Sequence, residues 1–273
     1  MVPIGIVTQN RVAYLDITLR SLSATTLPDG ISVTIYDDAS VGAETLAYYR
    51  GTDPVSCPSP WPHSKQWKRA GLNFINALHN PVGIAGKVGV EYLGATGQGV
   101  VNASCEALRR LFASHPDVPG VILLQDDVVF KEDWYDQMMS KSSDKSLYGK
   151  QGLGLLAGVH LNRRYKQSPH PPVVASGTTA QCLYVSRAAF HSLKDSYLKN
   201  RHTKRRQFDD TFVRSIGGAG LWHGVMLPFV CQHIGVRSIV RPKKGWNRGK
   251  QGRVGFYVGP PYAMADRVRN FKG

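Results

Sequence analysis

Val121-Ile-Leu-Leu-Gln-Asp-Asp-Val-Val-Phe130 sets four consecutive apolar residues directly before a polar triplet that ends in two carboxylates. An apolar run of this length, with no polar alternation, reads as a strand covered on both faces, as in a parallel sheet packed between helices. The neighbouring sequence keeps the same rhythm. Ile4–Thr8 is a short apolar run stopped by Gln9-Asn10, and Val12, Leu15, Leu19 and Leu22 then fall on one helical face. Ser32–Tyr36 predicts a second strand, Glu44–Tyr49 a helix, and the proline-rich stretch 51–66 a loop. Gln66–His79 is helical in pattern, Val88–Tyr92 reads as a strand, 94–99 as a glycine-rich turn and Val100–Phe112 as a helix. Beyond Phe130, Gly152–Val159 and Ala180–Val185 read as strands, Arg187–Leu193 opens a helix, and Leu227–His233 is a further apolar run. Strands alternating with helices predict an α/β fold, a mostly parallel central sheet with helices on both faces.

The carboxylates sit where such a sheet binds its ligands, outside the carboxyl ends of the strands. Asp37-Asp38 closes one predicted strand and Asp126-Asp127 another, and Asp209-Asp210 forms a third pair. Adjacent carboxylates beside a dry core are unfavourable unless a cation or hydrogen-bond donors compensate them. Each pair alone also suits a helix N-cap or turn. Three pairs together point to a divalent ion with oxygen ligands, Mg²⁺ or Mn²⁺, which in turn favours phosphate oxygens.

Composition narrows the class. Of the 273 residues 42% are hydrophobic and 19% charged, which suits a globular core and argues against disorder. No run of 18 apolar residues occurs, so no transmembrane segment is expected. The opening MVPIGIVTQNR lacks the pattern of a secretory signal. Cys57, Cys105, Cys182 and Cys231 are scattered without a C-x-x-C, which suits reduced thiols and a cytoplasmic location, the host's cytoplasm for a viral protein. The excess of 34 Lys and Arg over 19 Asp and Glu, +15 in all, is concentrated. Residues 194–206 hold six basic and one acidic residue, residues 237–273 hold ten and one, and the remainder is close to neutral. The last segment interleaves aromatics, glycines and cations, a composition that suits a polyanionic partner: cations neutralise phosphates and rings stack on bases. A solubilising surface or a plain tail is the simpler account of the same charge.

The succession I-G-I-V-T-Q-N-R, V-T-I-Y-D-D-A-S, G-Q-G-V-V-N-A, V-I-L-L-Q-D-D-V-V-F and F-D-D resembles the GT-A fold of nucleotide-sugar glycosyltransferases. It is most similar to the large inverting glycosyltransferase family 2, over most of residues 3–235. The resemblance implies a GT-A domain over 1–236, with 237–273 as a basic segment packed on it or extending it. It also implies roles for particular residues. L-L-Q-D-D resembles the metal-binding D-x-D segment, with Gln125 where an acidic residue is more usual. Asp127 is then the metal ligand, Asp126 stands beside it, and Gln125 is left to reach a sugar hydroxyl or a metal-bound water. Thr8, Arg11 and Asp37 or Asp38 would hold the nucleoside; the helix opening after Gly97-Gln98-Gly99 would offer amide donors to the donor nucleotide, and Asn102 matches the family's Asn in that turn. His233 in Q-H-I-G would complete the metal shell, although a histidine between an apolar strand and a turn is commonly structural. The stretch 176–190 resembles the floor of the acceptor site, and 228–238 the end of the catalytic domain. Asp210 matches the second acidic position of the family's x-E-D motif and would be the general base, with Asp209 its neighbour; the reaction would then invert the anomeric centre.

Fold resemblance does not identify the acceptor. The basic segments flank Asp209 and His233, which favours a large anionic acceptor. Lys204, Arg205, Arg206, Arg241, Lys243, Lys244, Trp246, Arg248, Lys250 and Arg253 are the candidate nucleic-acid contacts. The expected reaction moves a sugar from a nucleotide-sugar, a UDP-sugar by preference, to a hydroxymethylated pyrimidine in DNA of the kind phages modify, with the base flipped from the stack. A glycan, lipid-linked or protein acceptor is the alternative, and a non-catalytic nucleic-acid-binding module on a degenerate scaffold is a second.

Overall fold

The computed structural model describes residues 1–9, 11–40, 88–94, 97–148, 150–159, 173–174, 181–200, 215–226 and 230–233. The strands are β1 (Ile4–Thr8), β2 (Val33–Asp37), β3 (Val88–Tyr92), β4 (Gly120–Gln125), β5 (Val128–Phe130), β6 (Leu153–Ala157), β7 (Val173–Val174), β8 (Cys182–Ser186), β9 (Trp222–Met226) and β10 (Cys231–His233). The α-helices are α1 (Val12–Ser23), α2 (Val100–Ser114), α3 (Trp134–Ser143) and α4 (Arg187–Asn200). Eight strands make one sheet in the order β3-β2-β1-β4-β8-β6-β9-β7, and β10 pairs with β5 in a small separate ribbon.

Strands β3, β2, β1 and β4 are mutually parallel, with Val7 in register with both Tyr36 and Gln125. The strand β8 then runs antiparallel to both β4 and β6, and β9 is parallel to β6. At the centre of the sheet β8 therefore runs against the strands on both sides, and β6 and β9 resume the direction of β4. The carboxyl end of β4 lies beside the amino end of β8, where Leu124 is opposite Cys182.

Burial follows the sequence pattern. Every residue of β1 and β8 is buried, as the unbroken apolar runs require. Helix α2 buries Ala103, Ala107, Leu108, Leu111 and Phe112 on one face and packs against β1 and β4. Helix α4 packs on β6 and β8 and touches α2, with Phe190 stacked on Phe112 at 4.7 Å between ring centroids. Helix α1 packs on β5, and α3 anchors itself through the fully buried Trp134, whose indole N–H donates to Thr25 Oγ1 at 3.2 Å. A fully buried Leu or Ile contributes roughly 1.5–3 kcal/mol. Ile4, Ile6, Leu15, Leu108, Leu111 and Ile122 to Leu124 thus carry much of the stability of this half.

The six strands predicted at 4–8, 32–36, 88–92, 121–124, 152–159 and 180–185 all form, within two residues at either end. Of the run 227–233 only Cys231–His233 is a described strand. The helices expected at 44–49 and 66–79, the loop 51–66 and the basic segment 237–273 lie outside the described residues. Cys105, Cys182 and Cys231 are buried free thiols, and burial pushes that of Cys105 up to about 12. Among the described residues no helix is long and apolar enough to cross a membrane.

Candidate functional site

The carboxyl ends of β1 and β4 bring together residues more than a hundred positions apart. Strand β1 ends at Thr8, and three residues later Arg11 precedes α1. Beside them β4 ends at Gln125 and the chain turns through Asp126 and Asp127 into β5. The Arg11 guanidinium spans both carboxylates, Nη1 donating to Asp126 Oδ1 and Nη2 to Asp127 Oδ2, each at 2.6 Å. Thr8 Oγ1 donates to the other oxygen of Asp126 at 2.7 Å. The turn is also held from below: Thr18 Oγ1 on α1 donates to the Asp126 carbonyl at 2.8 Å and accepts from the Val128 N–H at 3.1 Å.

Strand β10 supplies the remaining member. Its pairing with β5 sets His233 opposite Val128 and brings Nε2 within 3.0 Å of Asp127 Oδ2. A carboxylate only accepts, so the Nε2 proton is the one donated. Asp127 Oδ1 is buried and has no hydrogen-bond partner among the described residues.

The electrostatics are unequal. Burial opposes ionisation of both carboxyls and pushes Asp126 up to about 6 despite Arg11. For Asp127 burial is outweighed by Arg11 and His233, which hold its carboxyl well below the usual range. Burial likewise opposes the charge on Arg11, but Asp127 and Asp126 prevail and its pKa rises. Its guanidinium also lies 4.4 Å from the centroid of the Tyr14 ring. With both acids ionised, two negative charges are shared between the Arg11 guanidinium and the His233 imidazole among the described residues.

The Asp37-Asp38 pair is occupied differently. Asp37 Oδ1 accepts from the Ser40 N–H at 2.6 Å. Asp38 accepts from the Gln98 N–H at 2.8 Å through Oδ1 and from the Gly99 N–H at 2.9 Å through Oδ2, and so tethers the turn before α2. Asn102 Nδ2 donates to the Gln98 carbonyl at 3.1 Å, and Gly99 takes a φ of +79°, where a side chain would be strained. Gly97 lies so close to Gln9 that a Cβ would collide with the Gln9 amide. Thr8 links the two clusters, its carbonyl accepting from the Asp38 N–H at 2.9 Å.

Gln125 faces the amino end of β8. Its N–H donates to the Gln181 carbonyl at 2.9 Å, and its Oε1 accepts from Gln181 Nε2 at 3.4 Å. Gln181 is buried, and its Oε1 has no hydrogen-bond partner among the described residues. The structure thus brings Thr8, Arg11, Asp126, Asp127 and His233 into one network, with Asp37, Asp38, Gly97 and Asn102 around the adjoining turn and Gln125 paired across the sheet. Asp209, Asp210 and the ten basic-segment candidates from Lys204 to Arg253 lie outside the described residues. Sequence reasoning missed Thr18 and Gln181. Thr18 is a polar residue on a helix otherwise read for its apolar face, and Gln181 becomes meaningful only once β8 is known to run antiparallel to β4.

No protein-family model matches the chain. No curated protein matches it at a significant level. Solved structures do match. The mannosyltransferase PcManGT of Pyrobaculum calidifontis, solved in complex with GDP-Man and Mn²⁺, is 16% identical, with 97% of this chain and 64% of that one covered and a TM-score of 0.54. TarS 1–349 of S. aureus, solved with UDP-GlcNAc, is also 16% identical and covers 83% of this chain and 56% of its own at a TM-score of 0.47. The galactosyltransferase LgtC, solved with donor and acceptor sugar analogues, is 12% identical over 99% of this chain and 96% of its own, at 0.48. This chain therefore spans less than two thirds of the matched TarS and PcManGT chains. The fold is of the GT-A type, and that statement rests on the superposition with PcManGT.

Proposed function

We propose that this chain is a nucleotide-sugar-dependent glycosyltransferase that works with a divalent cation. One observation carries the reading: at the carboxyl end of β4 two buried carboxylates share one guanidinium and one imidazole, and Asp127 Oδ1 has no donor among the described residues. A carboxylate oxygen and an imidazole nitrogen form a donor pair suited to Mn²⁺ or Mg²⁺. Asp127 and His233 would hold the ion, one through a carboxylate oxygen and the other through an imidazole nitrogen. When bound, the ion supplies Lewis-acid neutralisation of the departing nucleoside diphosphate. That PcManGT was solved with GDP-Man and Mn²⁺ supports this choice of donor class and metal; a UDP-sugar remains the preferred donor.

The chain's own residues do the positioning. Arg11 and Thr8 hold Asp126, Arg11 also orients Asp127, and Asp38 fixes the turn in front of α2. Asp210, with Asp209 beside it, is the proposed base that takes the proton of the acceptor hydroxyl, so that the sugar is transferred with inversion. The proposed acceptor is a hydroxymethylated pyrimidine in DNA, its backbone lying on Lys204 to Arg206 and the cations of 241–253; the concentration of positive charge in those two segments supports a polyanion.

The test is mass spectrometry of hydroxymethylated and plain duplex DNA after incubation with Mn²⁺ and a panel of UDP- and GDP-sugars. The expected result is a hexose-sized mass gain on hydroxymethylated DNA alone, abolished by EDTA and in Asp127→Asn and Asp210→Asn. Transfer only to a glycan, lipid or protein would overturn the acceptor, and inertness toward every sugar nucleotide would overturn the enzyme.

A further inference from the structure

We infer that Gln181 is a specificity-determining residue whose amide, paired with Gln125, reads a hydroxyl of the transferred sugar. The inference rests on the donor reading above and adds a subsite to it.

Among the described residues, Asp127 Oδ1 and Gln181 Oε1 are buried side-chain oxygens at this end of the sheet that have no hydrogen-bond partner. The first belongs to the cation site; the second has no part in that chemistry. A buried carbonyl oxygen with no donor is destabilising, and natural proteins retain few of them. Gln181 is held in place while this oxygen stays unsatisfied: its backbone carbonyl accepts from the Gln125 N–H at 2.9 Å, and its Nε2 reaches Gln125 Oε1 at 3.4 Å. Gln125 is only half-buried and immediately precedes the two carboxylates, so the amide pair and the proposed cation site share the carboxyl end of β4.

The chemistry of the pair defines the ligand class. An amide oxygen accepts an O–H and gains nothing from another acceptor. A neutral hexose or N-acetylhexosamine presents O–H donors. A uronic acid replaces the C6 hydroxyl with a carboxylate, so if the subsite reads that position the carboxylate meets the Gln181 Oε1 lone pairs and is disfavoured. The subsite therefore selects neutral sugars.

Calorimetric binding with Mn²⁺ present tests this, using a nucleoside diphosphate and its sugar conjugates: UDP, UDP-glucose, UDP-N-acetylglucosamine and UDP-glucuronate, with GDP and GDP-mannose as the parallel set. In wild type the neutral conjugates bind more tightly than the glucuronate. In Gln181→Leu the Kd of the neutral conjugates, taken relative to that of the free diphosphate, rises about three- to tenfold, the worth of one neutral hydrogen bond. The free diphosphate binds as before. Because leucine removes an unsatisfied buried acceptor, the thermal midpoint of this variant stays level or rises; Gln181→Met is the second variant should leucine prevent folding. An unchanged ratio, or equal weakening of diphosphate and conjugate, overturns the subsite and leaves the donor reading intact. Failure of wild type to bind any of these nucleotides overturns the donor reading and the subsite with it.

Discussion

Arg11 is the residue on which the carboxylate turn depends. Removing one partner of a buried ionic cluster leaves its counterpart charged and dry, which typically costs about 3–5 kcal/mol. Arg11→Met should therefore lower the unfolding free energy by about that amount in denaturant titration. Adding Asp126→Asn should recover part of the loss, because the second change removes one of the stranded charges. Asp127 behaves differently. Asp127→Asn keeps the shape of the side chain but removes the charge that a cation needs. Wild type should gain about 2.7 kcal/mol from Mn²⁺ at a hundredfold excess over its Kd. This would appear as a rise of several degrees in thermal midpoint that Asp127→Asn abolishes.

Among the elements, the turn before α2 is tethered by the Asp38 carboxylate. Asp38→Ala frees the N–H groups of Gln98 and Gly99 and removes two charge-assisted hydrogen bonds. The expected loss is about 1–3 kcal/mol, read by thermal unfolding. Most of the parallel half of the sheet was legible before any coordinates, because strands such as Ile4–Thr8 and Val121–Leu124 are dry on both faces and so lack polar interruptions. The other half was less so. The strand β9 reads Trp-His-Gly-Val-Met, whose first two side chains are only partly buried and carry no period. Helix α3 is largely polar and buries little beyond Trp134, Tyr135 and Met138. The direction of β8 has no local signature, since Cys182–Ser186 is equally apolar in either orientation; its antiparallel pairing with β4 and β6 is a tertiary outcome. The same applies within the site. The carboxylates were visible as paired letters, but sequence could not show that Asp38 is taken up by backbone N–H groups or that Arg11 binds acids.

For the molecule as a whole, the charge distribution separates a near-neutral sheet from two strongly basic segments. If those segments bind DNA, affinity should fall steeply with salt, by roughly a factor of 10³–10⁵ between 50 and 200 mM when six to ten phosphates are contacted. Gel retardation of duplex DNA across that range measures it; a flat profile would count against a phosphate contact surface. The proposed nucleotide-sugar binding at β4 should be far less sensitive, because the charges there are buried.

The hydroxyl of Thr18 has a consequence for how site occupancy could be followed. It is clasped between the Asp126 carbonyl and the Val128 amide, so helix α1 and the loop bearing the acids form one mechanical unit. The Val128 amide proton is thereby a built-in clock. Its exchange with deuterium should slow when a ligand tightens the front of the loop. It should quicken in Thr18→Val, where the clasp is cut and no charge is touched.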